Sequence, residues 1–231
     1  VDRGAVTAFD RAYTALALTD TVLAAHGGGR ASRLRWATKL ALMPLLIAKV
    51  SAAGDGSWSR LRDRTRAGLA LSWAGDVALL GSSDAAFAAG LGCFAGAHGC
   101  YSTAFTMARR PTPPPAAGPV GVSGLLVGGA LARRAGRLGA PVAGYSALIA
   151  AMAIRAIGLD ERRIGASAAR RIAAGAGLFV VSDGLIGWRK FGLRGDAPRG
   201  RRAAIDAAVM ATYASGQWLI ADGVTRARSA G

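Results

Sequence analysis

Long apolar stretches alternate with short polar breaks along the whole chain. A helix crosses a bilayer with about 20 mostly apolar residues, within a range of about 17–25. Stretches of that length lie at 9–26, 34–52, 66–82, 84–108, 116–132, 139–158, 171–188 and 204–222. The breaks between them hold Gly, Pro and Arg, which punctuate helices. The run Arg109, Arg110, Pro111, Thr112, Pro113, Pro114, Pro115 is the clearest of these stops. The break at Ser82–Asp84 is so short that the helices on either side must form a tight antiparallel hairpin. The pattern predicts one integral membrane domain over 1–231, an all-α polytopic bundle of eight transmembrane helices. A two-layer soluble α protein is the competing fold.

Composition sharpens this. Hydrophobic residues make up 52% and charged residues 18%, against about a quarter charged in a soluble domain. Mean hydropathy is +0.31. Gly supplies 33 of 231 residues, about twice its usual share. Spans rich in Ala and Gly suit close helix contact, because small residues let backbones approach.

The net charge of +16 would suggest a nucleic-acid partner if the basic residues formed one surface. They fall instead in short clusters between apolar stretches, as at the ends of membrane helices. A lipid bilayer is therefore the expected partner, and nucleic acid is not. With eight spans both termini share a side. Basic residues number fourteen on the terminal side and twelve on the other. That margin favours cytoplasmic termini in the inner (plasma) membrane of a bacterium. The first stretch carries Asp10 and Asp20 and lacks a small-residue cleavage site, so no secretory signal peptide is predicted.

Two Cys and two His, with no HExxH, disfavour a disulfide framework or a metallohydrolase. Cys93 and Cys100 stand seven apart, ~10 Å of helical rise, too far to bridge. Short matches hint at an internal repeat. Gly68-Leu69 leads to Asp76 and then Leu79-Leu80-Gly81; Gly177-Leu178 leads to Asp183 and then Leu185-Ile186-Gly187. These lie in the third and seventh spans, which predicts two parallel halves of four helices.

The chemistry lies in polar residues inside the spans. A charge at mid-bilayer costs roughly 2.5–3.5 kcal/mol, so such residues face the bundle interior or a wet cavity. Asp20, Lys39, Asp76, His98, Asp183 and Asp206 are of this kind. Asp76 follows Ser72-Trp73-Ala74-Gly75, and Asp183 follows Ser182. Each is a candidate catalytic or ion-binding carboxylate, or else a structural hydrogen-bonding group. His98, Tyr101 and Phe105 share a helix face. Asp206, Tyr213 and Gln217 form a polar stripe, and Tyr13, Ala17 and Asp20 align in the first span. Asp206 and Asp222 read as solvated helix ends, and Lys49, near the end of its span, as a residue that snorkels outward. Such convergence of polar groups predicts an intramembrane site. The residues leave open whether it is the site of an enzyme or of a small proton-coupled carrier.

Five motifs in order resemble the YhhN-like lysoplasmalogenase family. They are Thr38-Lys39 … Pro44-Leu45-Leu46, Ser72-x-x-Gly75-Asp76, Gly90-x-x-x-Phe94-x-x-x-His98-x-x-Tyr101, Gly175-Ala176-x-x-Phe179-x-x-Ser182-Asp183, and Thr212-Tyr213-x-x-x-Gln217. They cover about residues 34–220. Leu40 departs from the pattern, where Pro would follow the Lys. The resemblance implies an eight-helix membrane enzyme that hydrolyses the vinyl-ether bond of a lysophospholipid, lysoplasmalogen, to a fatty aldehyde and a glycerophospho-base. It implies no cofactor and no metal. The chemistry calls for one protonated carboxyl to protonate the β-carbon and one carboxylate to stabilise the oxocarbenium ion and activate water. Asp76 and Asp183 would fill these roles, opening on one cavity. Ser72, His98, Tyr101, Ser182, Tyr213 and Gln217 would support them and position water. Lys39 would meet the lipid phosphate or hold an Asp ionised.

Overall fold

Eight long helices follow the eight apolar stretches in a computed structural model that describes residues 3–54, 58–112, 114–193 and 195–228, with side chains from residue 7. They are α1 (Arg3–His26), α2 (Gly29–Ala52), α3 (Ser59–Ala78), α4 (Asp84–Thr106), α5 (Ala117–Arg134), α6 (Gly139–Ile157), α8 (Ala166–Gly187) and α9 (Arg199–Arg226). A short helix, α7 (Glu161–Ile164), lies in the break before α8, and a π-turn, Trp188–Gly192, continues α8. Among the described residues there is no strand, only a single bridge between Arg109 and Leu159. Pro113 of the stop run and Arg194 of the basic count lie outside the described residues.

α1, α2, α3, α8 and α9 start before the predicted ends, whereas α3, α4 and α6 stop short of theirs. Ser83 accepts a hydrogen bond from the Ala86 amide and so starts α4 directly after the short break. Gly165, at φ +90°, lets α7 turn into α8. Pro44 lies inside α2 without ending it.

Small residues fix the packing. A Cβ at Gly68 would lie 2.5 Å from the Tyr101 ring, and one at Gly75 2.7 Å from Phe94. These contacts close the α3–α4 hairpin. A Cβ at Gly175 would lie 2.6 Å from the Gly216 carbonyl, so α8 and α9 meet backbone to backbone. Gly124 and Gly128 of α5 seat in the same way on Ala150 and Ser146 of α6. α5 scarcely meets α4 or α8, whereas α1 packs firmly on α9. Large apolar side chains stand exposed on the outside of the bundle, among them Leu18 and Val22 of α1 and Val122, Leu125 and Leu126 of α5.

By length and composition two helical stretches among the described residues qualify as membrane spans. Gly136–Ile157 and Ala166–Gly192 reach mean hydropathy 1.5 and 1.2. Eight were expected. The other long helices are diluted by Ala, Gly and charge; α2 alone carries Arg30, Arg33, Arg35, Lys39 and Lys49.

Lys49 corrects the sequence expectation. It does not snorkel: its side chain is buried between Asp10 and Asp222, 2.8 Å from the latter. Asp222 is likewise no solvated helix end, for it also pairs with Arg171 and Arg226. Each finds its counter-charge on a neighbouring helix, which the pattern along one span does not reveal. Asp206 does lie near the surface, paired with Arg189.

Candidate functional site

The polar residues of the spans gather into two clusters. The first surrounds Asp76, near the end of α3, which is completely buried. Lys39 Nζ of α2 lies 3.1 Å from one carboxylate oxygen. Tyr213 of α9 donates a hydrogen bond of 2.7 Å to the other. One turn earlier on α3, Ser72 accepts from Gln217 Nε2 at 2.9 Å, and Gln217 Oε1 accepts from Tyr101 at 2.7 Å. Four helices thus meet through an ion pair and two neighbouring groups of hydrogen bonds, with scarcely any access. Asp20 of α1 stands beside this cluster, fully buried, accepting from Arg35 and Thr38.

The second cluster surrounds Asp183 of α8. Tyr145 of α6 donates to its Oδ2, and His98 Nε2 of α4 lies 3.2 Å from the same oxygen and 2.9 Å from the Tyr145 hydroxyl. Both partners crowd one oxygen. Among the described residues Oδ1 has no hydrogen bond. Ser182 does not join this cluster; its hydroxyl donates to the Val209 carbonyl of α9. Phe179 stands between the clusters, with its ring 4.7 Å from His98, 5.5 Å from Tyr213 and 6.2 Å from Phe94.

A cavity of about 550 Å³ adjoins the second cluster. It lies between α4, α5, α6 and α8, where α5, packed on α6, stands off from α4 and α8. Its lining is apolar apart from Asp183, Tyr145, Ser123 and Ser146. Asp76, His98, Tyr101 and Tyr213 are not among the lining residues. The expectation that both carboxylates open on one cavity is therefore not met. Phe94, wedged against Gly75, lines the cavity and stands on the side of Asp76. Lys39 is engaged by Asp76 and does not line the cavity.

Tyr145 is the residue of the candidate site that sequence reasoning missed. It is the one Tyr in the span 139–158 and stands between Gly144 and Ser146. A lone phenol in an otherwise apolar helix was the available signal, since a buried Tyr hydroxyl requires a partner.

The fold and the clusters define an all-helical bundle with several interior carboxylates, among them Asp76, sealed, and Asp183, beside an apolar cavity. The chain belongs to the YhhN family, whose family model matches residues 34–224. Comparison with curated proteins and with solved structures gives no match.

Proposed function

We propose that the protein is an intramembrane ether hydrolase of eight transmembrane helices, acting on the vinyl-ether bond of lysoplasmalogen. The observation that carries this is a carboxyl with one uncommitted oxygen beside an apolar cavity. That combination suits a lipid chain with a reactive bond at its polar end. The exposed apolar side chains of α1 and α5 fit a lipid surround.

Asp183 is the proton donor in this scheme. Its carboxyl delivers a proton to the β-carbon of the vinyl ether, and the ether oxygen shares the positive charge of the resulting oxocarbenium ion. Water adds to the α-carbon and gives up a proton to Asp183, which restores the acid. The hemiacetal collapses to a fatty aldehyde and the glycerol hydroxyl. Tyr145 and His98 hold Asp183 through Oδ2, which leaves Oδ1 for the substrate. Asp76, paired with Lys39, is the second carboxylate of the pair. The Lys39 ammonium offsets most of its charge, so Asp76 acts on the cation across Phe94 and Phe179 only through the dipole of the pair. Tyr213, Ser72, Gln217 and Tyr101 fix Asp76 in place.

The test is incubation of purified protein with lysoplasmalogen and, separately, with an ester lysolipid, followed by aldehyde detection. In deuterated water one deuteron is expected on the aldehyde carbon next to the carbonyl. No aldehyde, or aldehyde without that deuteron, would remove this mechanism. A small proton-coupled carrier using the same Asp, His and Lys would then be the better account.

A further inference from the structure

We propose that the cavity between α4, α5, α6 and α8 measures the chain of a single-chain lipid, and that Gly177 marks the depth at which it can be shortened. This rests on the hydrolase above only for where the reacting bond sits.

The cavity runs from Pro119 and Ile157, at the end of the bundle nearer the termini, to Phe87 and Phe191 at the other. Asp183 stands part-way along it. From Asp183 to Ala173, the deepest lining residue of α8, is ten residues, or ~15 Å of helix. Along that length α8 presents Val181, Val180, Gly177 and Ala173, with no ionisable group. An extended hydrocarbon advances about 1.3 Å per carbon, given bonds of ~1.5 Å. The deep section therefore takes roughly twelve carbons beyond the reacting bond.

Width argues for one chain. A volume of about 550 Å³ holds on the order of twenty groups the size of water, at ~30 Å³ each. That accommodates one long chain and its first polar atoms. Entry is lateral: Val127 and Val181 both line the cavity, yet are 54% and 50% exposed. A lipid tail can therefore slide in from the side of the bundle where α5 stands off.

Gly177 is suited to set the depth because an added Cβ there meets nothing within 4 Å. Gly177 is an exposed residue of the cavity lining, so a larger side chain there can narrow the cavity without moving the helix. Gly177 is six residues from Asp183, ~9 Å of rise, which leaves space for about seven carbons. Ala173, a further turn down, would cut the chain near twelve.

The experiment compares wild type, Gly177→Phe and Ala173→Phe on two series of lysolipids with hexyl to octadecyl chains. One series carries the vinyl ether and reads turnover by aldehyde release. The other carries a non-hydrolysable alkyl ether and reads binding by native mass spectrometry. Gly144→Leu, on the exposed face of α6 away from the cavity, controls for replacing a helical glycine. Wild type is expected to gain with each added carbon to about twelve and then level off. Gly177→Phe should lose at least tenfold for dodecyl and longer chains while retaining hexyl, and Ala173→Phe should lose only the longest. If binding shows these limits without any aldehyde, the hydrolase reading fails and the measure stands. Turnover or binding that ignores chain length in all variants overturns the measure, as does failure of any chain to bind.

Discussion

The two carboxylates occupy matching places in the chain but different surroundings. Asp76 sits on α3 and is held from α2 and α9. Asp183 sits on α8 and is held from α6 and α4. Laying the first four long helices on the last four pairs α2 with α6, α3 with α8 and α4 with α9, so the supporting helices correspond as well. The correspondence stops at one interface. α1 packs on α9, whereas its counterpart α5 leaves α4 almost untouched. The cavity occupies that missing contact. One carboxylate is thereby sealed beside an ammonium group, and the other opens on apolar space with a phenol and an imidazole as its partners. The looser packing of one helix thus separates a sealed ion pair from a carboxylate with access to a cavity.

Replacing each acid should break this comparison most clearly. Asp183→Asn keeps the shape and removes the proton, so turnover should fall by 10²-fold or more, the usual scale of general acid–base catalysis. Binding of an alkyl-ether lysolipid should change far less. If Asp183→Asn keeps near wild-type turnover while Asp76→Asn abolishes it, the roles assigned to the two sites are reversed.

Lys39→Met should act on stability. It leaves Asp76 buried without its counter-charge, which costs about 3–5 kcal/mol. Thermal unfolding in detergent should show a large loss, and the double variant Lys39→Met/Asp76→Asn should recover much of it. Equal loss in the single and double variants would mean that the pair is not what holds this cluster.

A smaller effect is expected at Tyr145. Tyr145→Phe removes one hydrogen bond to Asp183, worth about 1.5–3 kcal/mol when the partner is charged, so turnover should drop roughly tenfold or more. Tyr213→Phe removes the matching bond to Asp76, away from the cavity, and should register chiefly in unfolding. The least expected change is in the shape of the pH profile. Turnover should follow a bell, because one group must be protonated and another ionised. Asp183→Asn should flatten whatever remains of it, and an unaltered bell in that variant would assign the limbs to other groups.

Much of this was legible in the sequence. Each apolar stretch became a helix, bounded by the Gly, Pro and Arg that punctuate helices. Lys39, Asp76, Tyr213, Gln217 and Ser72 were singled out for their polarity within those runs, and one buried cluster of an ion pair and hydrogen bonds holds them. What stayed hidden depended on helix rotation. Two acids at similar depth suggested one shared cavity. The glycine contacts that turn α3 toward Phe94, and the aromatic wall this builds, arise only between chain segments far apart in sequence. Lys49 and Asp222 escaped for the same reason, since their partners lie 173 residues apart.

The glycines of α8 bear on how sequence variation in this helix should be read. Gly175 touches the backbone of α9, so any larger residue there would force two helices apart. Gly177, two positions on, and Gly184 have open space where a side chain would begin. One helix thus carries an intolerant position and permissive ones nearly side by side. In a library of all single substitutions, position 175 should be depleted in every variant by loss of folded protein. Variants at 177 should survive expression and sort by the lipids they accept, so that protein yield and substrate choice separate along a single helical turn.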